Sequence, residues 1–438
     1  MHNSKNLLNP DQIRTKLKKE VPNNVWELFE VAAIFANNLK MNAYLVGGCI
    51  RDFLMGSETS DWDIVVQGDG LELGKAIAQK LDGKIQKKSP FLTCTVFLRN
   101  NIKLDIATAR SEVYKHPAAL PEIKKSSINE DVMRRDFTIN SLALKLNGED
   151  AFNLIDKYKG LEDLNAKLIR VLHPKSFLDD PTRVFRALRF EQRFGFTLES
   201  ETNRLLSESI KTKVFDRLSG FRFFNELKKN LQENIPTLCL QRSKEVGLLK
   251  CINPDFFAIP AGIELLKKIE KLLKETIPLE NNPKSWKIYF LGILYSTLKE
   301  SRKACLIRLD VKKKEAEFLL NSLMQVDKAL ITLDKVAETS PTIVYKTLHH
   351  LKDEVIYLLL ALAKTSSVRT AVSIYRDYYR KQAIPKLKGE DLIKLGFAPG
   401  PAFQKIFKDL KKARLTGDIQ TKSEEIDWVQ KKFSPDKD

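Results

Sequence analysis

The front of the chain alternates between strand-like and helix-like patterns of apolar residues. Ala43 to Val46 is a short apolar run that stops at Gly47 and Gly48, as a strand does when it enters a tight turn. Ile50 to Met55 then predicts a short helix that ends at Gly56. A strand, a glycine turn and a helix therefore follow one another within about fifteen residues.

Further elements follow at once. Asp61 to Val66 predicts a second strand, and apolar residues every four positions from Leu73 to Leu81 predict an amphipathic helix with Gly83 just beyond its end. Cys94–Leu98 and Ile102–Ile106 flank a short polar turn, which predicts a hairpin. Together these patterns predict a small sheet with helices on one face.

The strand pattern fades beyond about residue 150. Apolar positions between Leu265 and Leu273, and again between Phe318 and Val326, recur at helical spacing among lysines. We therefore expect the rear two-thirds of the chain to be all-helical. The stretch from Val113 to Asn129 has little periodicity, so we expect a long loop there, either a functional one or a plain surface connector.

Composition narrows the class of protein. The chain has 438 residues, of which 43% are apolar and 30% charged, so a low-complexity or wholly disordered chain is excluded. Lys and Arg number 74 against 56 Asp and Glu, a net charge of +18. After residue 150 there are 53 basic and 37 acidic side chains, which hold most of that excess. A basic rear predicts an anionic partner, although solvated lysine-rich helix faces are the alternative.

The five cysteines lie far apart with no CxxC pair, so neither a disulfide framework nor a zinc site is expected. The first twenty residues lack the apolar core of a signal peptide. Val355 to Ala363, the longest apolar run, is too short to span a bilayer and predicts a buried helix. We expect a cytoplasmic protein, with no membrane and no disulfide-linked partner.

The candidate chemistry lies between Gly47 and Asp63. Residues i and i+2 of a strand share a face, so the carboxylates of Asp61 and Asp63 point the same way. They repel each other unless a cation lies between them, and oxygen ligands favour Mg²⁺ or Mn²⁺. The Gly47-Gly48 turn lets backbone N–H groups approach a phosphate, and Arg51 adds positive charge. The alternative is a simple turn followed by an exposed strand end.

The segment GGCIRDFLMGSETSDWD resembles the signature of class II tRNA nucleotidyltransferases and bacterial poly(A) polymerases. The likeness continues around Asp105, in Arg134-Arg135-Asp136 and from Asp179 to Arg189, and Lys388 to Pro401 resembles the C-terminal region of CCA-adding enzymes. It implies an α+β fold: a small mixed-sheet nucleotidyltransferase head followed by an all-α neck, body and tail.

The resemblance also implies a domain order. Residues 1–24 would be an N-terminal helical extension and residues 25–155 the catalytic head. Residues 156–275 would form a neck for base recognition and RNA binding, and residues 276–438 a helical body and tail that bind tRNA.

The same resemblance assigns roles. Asp61 and Asp63 would hold two Mg²⁺ ions, with Mn²⁺ as an alternative, and Asp105 would be a third catalytic carboxylate unless it is only a hairpin-end aspartate. Glu112 is a weaker candidate. The residues placed at the nucleotide are Gly47, Gly48, Arg51, Asp52, Arg134, Arg135, Asp136, Asn140, Asp180, Arg183, Arg186 and Arg189.

Asp180 and Arg183 carry two interpretations. Asp180 before Pro181 fits a helix N-cap with proline at the first helical position. In the family that the motifs resemble, the matching pair contacts the Watson–Crick edge of the incoming base, which favours C and A over U and G. The implied partners are tRNA, CTP and ATP.

The implied activity is template-independent addition or repair of the 3′-terminal CCA of tRNA, or of its CC or A part. A bacterial poly(A) polymerase is the alternative within the same chemistry. A catalytically inactive RNA-binding relative is the alternative of another class, and the intact Asp61/Asp63 pair argues against it.

Overall fold

The computed structural model describes residues 9–59, 61–88, 92–99, 102–275, 284–335 and 340–433. The chain divides into two compact units, Met1–Glu226 and Leu227–Asp438. The domain boundary expected at residue 276 and the centre of the expected hairpin turn, residues 100 and 101, lie outside the described residues.

The first unit is built on strands. They are β1 (Asn42–Val46), β2 (Trp62–Gln67), β3 (Lys84–Lys88), β4 (Thr93–Phe97), β5 (Lys103–Thr108), β6 (Arg110–Val113), β7 (Glu122–Lys125), β8 (Ala143–Lys145), β9 (Leu154–Ile155), β10 (Leu168–Ile169) and β11 (Thr197–Leu198).

Helices connect these strands and follow them. They are α1 (Pro10–Glu20), α2 (Asn23–Asn38), α3 (Gly48–Met55), α4 (Gly70–Lys80), α5 (Ile128–Met133), α6 (Gly160–Ala166), α7 (Ser176–Asp179), α8 (Thr182–Phe194), α9 (Ser200–Lys211), α10 (Val214–Arg217) and α11 (Gly220–Asn230), the last of which runs across the boundary between the units.

Within the described residues, the main sheet has seven strands in the order β3-β4-β5-β2-β1-β8-β9. Strands β2 and β5 are parallel, and the other neighbours in this sheet are antiparallel. The β4–β5 hairpin is as the apolar pattern predicts, and the mixed sheet is as the family resemblance implies. The predicted helix after the glycine turn is also confirmed, because α3 ends at Met55 and Gly56 takes a left-handed conformation with φ +69°.

The two faces of this sheet have different partners. Leu45, Ile64 and Ile106 point to one face and share a core with α1, α2 and α4. Val46 and Val65 point to the other face, against a smaller apolar cluster that includes residues of α5. Since side chains alternate along a strand, residues at odd positions of β2 and β5 project from this second, more open face.

The second unit is helical throughout its described elements. These are α12 (Pro236–Glu245), α13 (Gly262–Glu275), α14 (Ser285–Tyr295), α15 (Arg302–Arg308), α16 (Lys313–Lys335), α17 (Pro341–Leu348), α18 (Asp353–Leu362), α19 (Ser366–Ile374), a π-helical turn (Tyr375–Tyr379), α20 (Arg380–Gln382), α21 (Gly389–Lys394), α22 (Pro401–Thr416) and α23 (Lys422–Lys432).

Helices α14 and α18 form the apolar centre of this unit. They pack against each other, and apolar residues are buried around most of their circumference, which is typical of a helix enclosed by others. The apolar run from Val355 to Ala363 begins inside α18 and ends just after it, as the sequence predicts. None of the helices in the described ranges combines the length and the apolar character needed to cross a membrane.

Four expectations are corrected. The sheet has helices on both faces rather than on one, because α5 packs on the second face. Asp82, with φ +49°, takes the left-handed position after α4 in place of Gly83. The chain beyond residue 150 still contributes short strands, β9 to β11. The stretch from Val113 to Asn129 is not one long loop, because β6 and β7 pair as an antiparallel hairpin. A two- to four-residue strand is too short to show a periodic pattern in sequence.

A buried ion pair holds the last helices of the second unit together. The side chains of Arg414 and Glu425 are 3% and 0% exposed and contact each other directly. The Glu425 carboxylate also accepts hydrogen bonds from the backbone N–H groups of Lys386 and Leu387, at 2.9 and 2.7 Å. Arg414 donates to the backbone carbonyl of Gln382 at 2.6 Å. These contacts fasten the segment before α21 to α22 and α23.

Glu425→Gln is expected to lower the free energy of unfolding of this region by about 2–3 kcal/mol, because Arg414 would remain buried without its countercharge. Urea denaturation followed by tryptophan fluorescence measures the change. Glu390→Gln, at an exposed position of α21, is the matched control and should shift the transition by less than about 0.5 kcal/mol. Equal effects of the two substitutions would contradict this role of the ion pair.

Candidate active site

Two aspartates stand side by side on the open face of the sheet. Asp63 of β2 is the register partner of Asp105 in the parallel pair β2–β5. Partners on neighbouring strands project from the same face about 5 Å apart. Asp61 lies one residue before β2 begins, and its charge acts on Asp63. The structure therefore brings Asp63 and Asp105 together, with Asp61 next to them.

The two central carboxylates differ in their partners. Asp105 accepts a hydrogen bond from Lys103 Nζ at 2.7 Å and another from the hydroxyl of Thr95. No donor in the described ranges lies within hydrogen-bond distance of the Asp63 carboxylate. Desolvation by the surrounding protein raises the pKa of Asp63 to about 6, although the side chain keeps an opening to solvent. Repulsion from Asp105 and Asp61 adds to this rise, and Arg135 opposes it.

The carboxylates of the site suit a metal ion that brings further ligands with it. Within the described residues, no three His, Cys, Asp or Glu side chains form a ready-made metal centre. Asp63 nevertheless lies beside two further carboxylates, Asp105 and Asp61, whose charges repel its own, and a bound cation would relieve that repulsion. Mg²⁺ is commonly held by one or two carboxylates and completed by phosphate oxygens and water. Asp61 and Asp63 therefore fit a divalent cation that arrives with a phosphate ligand.

The glycine turn borders these carboxylates and needs to be glycine. Gly47 has φ +73°, in the left-handed region, and a Cβ there would lie 2.5 Å from Nη1 of Arg135. The missing side chain therefore lets the Arg135 guanidinium lie directly over the turn. Gly48, the next residue, begins α3.

A group of buried acids holds the arginines near the turn. Asp131 is 0% exposed and accepts hydrogen bonds from Arg134 at 2.6 and 3.0 Å and from Arg135 at 3.0 Å. Glu112 accepts from Arg134 at 3.1 Å and from Arg110 at 3.0 Å. These arginines are thus fixed in position before any ligand arrives.

Two of the aspartates, Asp63 and Asp105, line one cleft of about 250 Å³ together with three arginines, whereas Asp61 is not among its lining residues. Its lining residues are Val46, Asp63, Ile64, Val65, Thr93, Asp105, Ile106, Ala107, Arg110, Arg134 and Arg135. Carboxylates on the floor and guanidinium groups at the side can bind a cation and a polyanion next to each other. Buried Nε of Arg135 has no hydrogen-bond partner within the described structure, so this guanidinium retains donor capacity.

Arg51 and Asp52 lie in a buried polar chain beside the cleft, and they are not among its lining residues. Arg51 donates to the Asp52 carboxylate at 2.7 and 2.9 Å and to Oδ1 of Asn140. Asn140 in turn donates to Asp136 at 2.9 Å, and Arg186 reaches the other oxygen of Asp136 at 2.6 Å. The segment from 134 to 136 follows the end of α5 rather than starting a helix. This chain of contacts connects α3 to α8.

Arg186 contributes most to lowering the pKa of Asp136. Burial alone raises the pKa of Asp136, but the charges of Arg186 and Arg183 and the hydrogen bond from Asn140 outweigh it and lower the pKa to about 2. Asp136 therefore stabilises the fold fully above about pH 4, and the stabilisation is lost as the pH falls from 4 toward 2.

Asp136→Asn is expected to lower the free energy of unfolding by about 2–3 kcal/mol at pH 7, because Arg186 loses its countercharge. The difference from the unchanged protein should shrink between pH 4 and pH 2.5. Urea denaturation at a series of pH values measures it. Asp150→Asn, an exposed aspartate, is the control, and an undiminished difference at pH 2.5 would argue against this ion pair as the cause.

Asp180 and Arg183 belong to one sequence motif but have different surroundings at the start of α8. Asp180 lies one residue before the N-cap Pro181, so the expected capping position is off by one, yet its carboxylate still accepts from the backbone N–H of Thr182 at 2.9 Å. Arg183 is 5% exposed and donates to Ser176 Oγ and to the backbone carbonyl of Arg134, both at 2.6 Å.

The three arginines that lie three residues apart on α8 therefore have different partners. Arg186 pairs with Asp136, whereas Arg189 pairs with Glu226 at 2.9 Å in a buried site. Arg183 links α8 to the backbone at Arg134. The structure brings Arg183 and Arg186 to the arginine and aspartate of the 134–136 motif and directs Arg189 away from it.

Two residues near the site, Asp131 and Arg222, are not among those that the sequence motifs identify. Asp131 precedes Arg134 and Arg135 by three and four positions, the spacing of helical ion pairs, and this signal could have identified it. Arg222 contacts Asp180 at 2.8 Å across 42 positions of sequence, and no local pattern indicates that contact.

The chain is similar to known proteins over most of its length. Residues 43–170 match the family described as Poly A polymerase head domain. An A-adding tRNA nucleotidyltransferase of Halalkalibacterium halodurans is 30% identical over 427 residues, which are 97% of this chain and 96% of that protein. The chain belongs to the tRNA nucleotidyltransferase family. The resemblance to tRNA nucleotidyltransferases is thereby confirmed.

Other members of the tRNA nucleotidyltransferase family extend the likeness. An A-adding tRNA nucleotidyltransferase of Geobacter sulfurreducens is 34% identical over 396 residues, 89% of this chain, but the match spans only 45% of that longer protein. The solved structure of a CCA-adding enzyme of Thermotoga maritima, complexed with tRNA, is 30% identical with a TM-score of 0.74. It covers 96% of this chain and 98% of that one. The expected α+β class, with a mixed-sheet head and a helical remainder, is confirmed.

Proposed function

We propose that this protein adds a nucleotide, taken from ATP, to the 3′ end of tRNA. The observation that carries the proposal is the register pair Asp63 and Asp105 on the floor of a cleft whose side is formed by Arg110, Arg134 and Arg135. Such a site suits the transfer of a nucleotidyl group, in which charge neutralisation and positioning do most of the work. Likeness over nearly the whole length of the A-adding relative from Halalkalibacterium halodurans supports ATP as the nucleotide.

The residues in and around the cleft would have separate roles in the reaction. Arg135 and the backbone of the Gly47-Gly48 turn would bind the triphosphate. A divalent cation, Mg²⁺ or Mn²⁺, held by Asp61 and Asp63 would neutralise phosphate charge and activate the attacking 3′-hydroxyl. Asp105, already held by Lys103, would add negative charge at the same place. Asp180 and Arg183 would contact the incoming base.

A tRNA end series tests the proposal. The protein is mixed with Mg²⁺ and tRNAs that end before CCA, after the first C or after CC, and CTP and ATP are offered separately. Extension of the CC-ending tRNA by one A, without use of CTP on shorter tRNAs, is the expected result. Failure to extend any tRNA would overturn the proposal and favour an inactive RNA-binding relative.

Full CCA addition is the second candidate. It is favoured by the near-complete coverage of the Thermotoga maritima CCA-adding enzyme. In the same series this activity would use CTP on the two shorter tRNAs and then stop after one A. Long A tails on any RNA would instead indicate a poly(A) polymerase. We further propose a cytoplasmic site of action, which a tRNA substrate would support.

A further inference from the structure

The carboxylate of Asp180 is held by donors that all reach the same oxygen. Oδ1 accepts from the backbone N–H and the hydroxyl of Thr182, at 2.9 and 2.5 Å, and from Nη2 of Arg222 at 2.8 Å. Within the described residues, Oδ2 accepts no hydrogen bond. About one-fifth of the Asp180 side chain is exposed, so this second oxygen is available to a ligand.

The other arm of Arg222 reaches the segment between β6 and β7. Its Nη1 donates to the backbone carbonyl of Ala118 at 3.0 Å. Ala118 is buried, has φ +64° and donates its own N–H to the carbonyl of Leu178 at 3.0 Å. The carbonyl that anchors Arg222 is therefore itself fixed, and the guanidinium bridges two rigid acceptors.

We infer that Arg222 is a positioning residue for base selection, which locks Asp180 so that a single acceptor oxygen, Oδ2, faces the incoming nucleobase. The inference rests on the proposed function and extends it. The exocyclic amines of adenine and cytosine donate to such an acceptor, whereas the carbonyl oxygens at the same positions of guanine and uracil are repelled. Without Arg222 only Thr182 holds the carboxylate, so the direction of Oδ2 toward the base is less tightly fixed.

Arginine suits this role better than lysine. A planar guanidinium holds two acceptors in fixed directions through separate N–H groups, whereas an ammonium is a point charge on a flexible stem. Arg222→Lys should therefore keep an attraction to Asp180 and lose the bridge to Ala118. Arg222→Met removes both contacts while it keeps most of the apolar length.

The experiment measures kcat/KM for ATP and for GTP with Arg222→Met, Arg222→Lys and the unchanged protein on CC-ending tRNA. Arg222→Met is expected to reduce the ATP-to-GTP ratio about tenfold or more, and Arg222→Lys by a smaller factor. Binding of tRNA alone should not change. Arg204→Met, which removes an exposed arginine paired only with Glu201 and Glu208 in the described structure, is the matched control and should leave the ratio unchanged.

An unaltered ATP-to-GTP ratio in Arg222→Met, even with lowered total activity, would overturn the inference and leave Arg222 a purely structural role. If that variant does not fold, the ratio for Arg222→Lys decides in the same way. Should the unchanged protein extend no RNA, the proposed function fails separately. Equilibrium binding of ATP against GTP then tests Arg222, and an unchanged preference in Arg222→Lys would refute the inference.

Discussion

Replacing Asp63 with Asn is expected to reduce nucleotide addition by about a thousandfold or more while the binding of tRNA is retained. Asp63 is the carboxylate of the cleft floor that no described donor neutralises, so the charge that a cation would meet there is lost in the amide. Single-turnover extension of tRNA with ATP measures the first quantity, and a filter-binding titration measures the second.

The thermal stability of Asp63→Asn distinguishes a loss of catalysis from a loss of folded protein. The pKa of Asp63 is raised to about 6, so keeping the side chain ionised costs the folded state stability above that pH. Asp63→Asn should therefore unfold at the same or a higher temperature than the unchanged protein at pH 8, and the gain should vanish below about pH 4. Asp82→Asn, at an exposed position after α4, is the matched control with full activity expected. A variant of Asp63 that keeps wild-type activity would refute the metal assignment.

Replacing Asp131 with Asn is expected to lower the free energy of unfolding by about 3–5 kcal/mol, because two arginines would share a buried partner that has lost its charge. Arg134 keeps Glu112, but Arg135 has no other described acidic partner within ion-pair distance. The KM for ATP should therefore rise more than kcat falls, since Arg135 would no longer be held over the glycine turn.

Chemical denaturation and steady-state kinetics together test that expectation. Glu130→Gln changes the neighbouring acidic residue, which is exposed and contributes to the cap of α5 through Ser127. Its effect should stay within about 1 kcal/mol with an unchanged KM. If Asp131→Asn matches this control in both measurements, the buried carboxylate does not organise the arginines.

Much of the first unit follows from local patterns. The strand before Gly47, the helix that ends at Gly56 and the hairpin of β4 and β5 are all set by residues close together in sequence. The proximity of Asp61 and Asp63 follows from their spacing. That Asp105 stands beside Asp63 was a weaker expectation, since it depends on the parallel pairing of β2 with β5, which no local pattern specifies.

The remainder of the site depends on contacts between distant parts of the chain. Arg186, Arg189 and Arg183 share one helix and one spacing, yet each has a different partner because the acceptors come from other segments. The bridge from Arg222 to Asp180 and Ala118 is of the same kind. Sequence patterns identify the residue types that such contacts need, and only the fold decides which of them meet.

Because Asp63 and Asp105 are partners in the sheet, formation of the active site also depends on correct pairing of β2 with β5 during folding. A shift of β5 by one residue would turn Asp105 toward α4 and bring Leu104 or Ile106 to the face that carries the cleft, so the acidic pair exists only when the strands match correctly. Molecules that fold with β5 in a shifted register would thus be inactive. The recovery of activity during refolding would report when β2 and β5 reach the correct register.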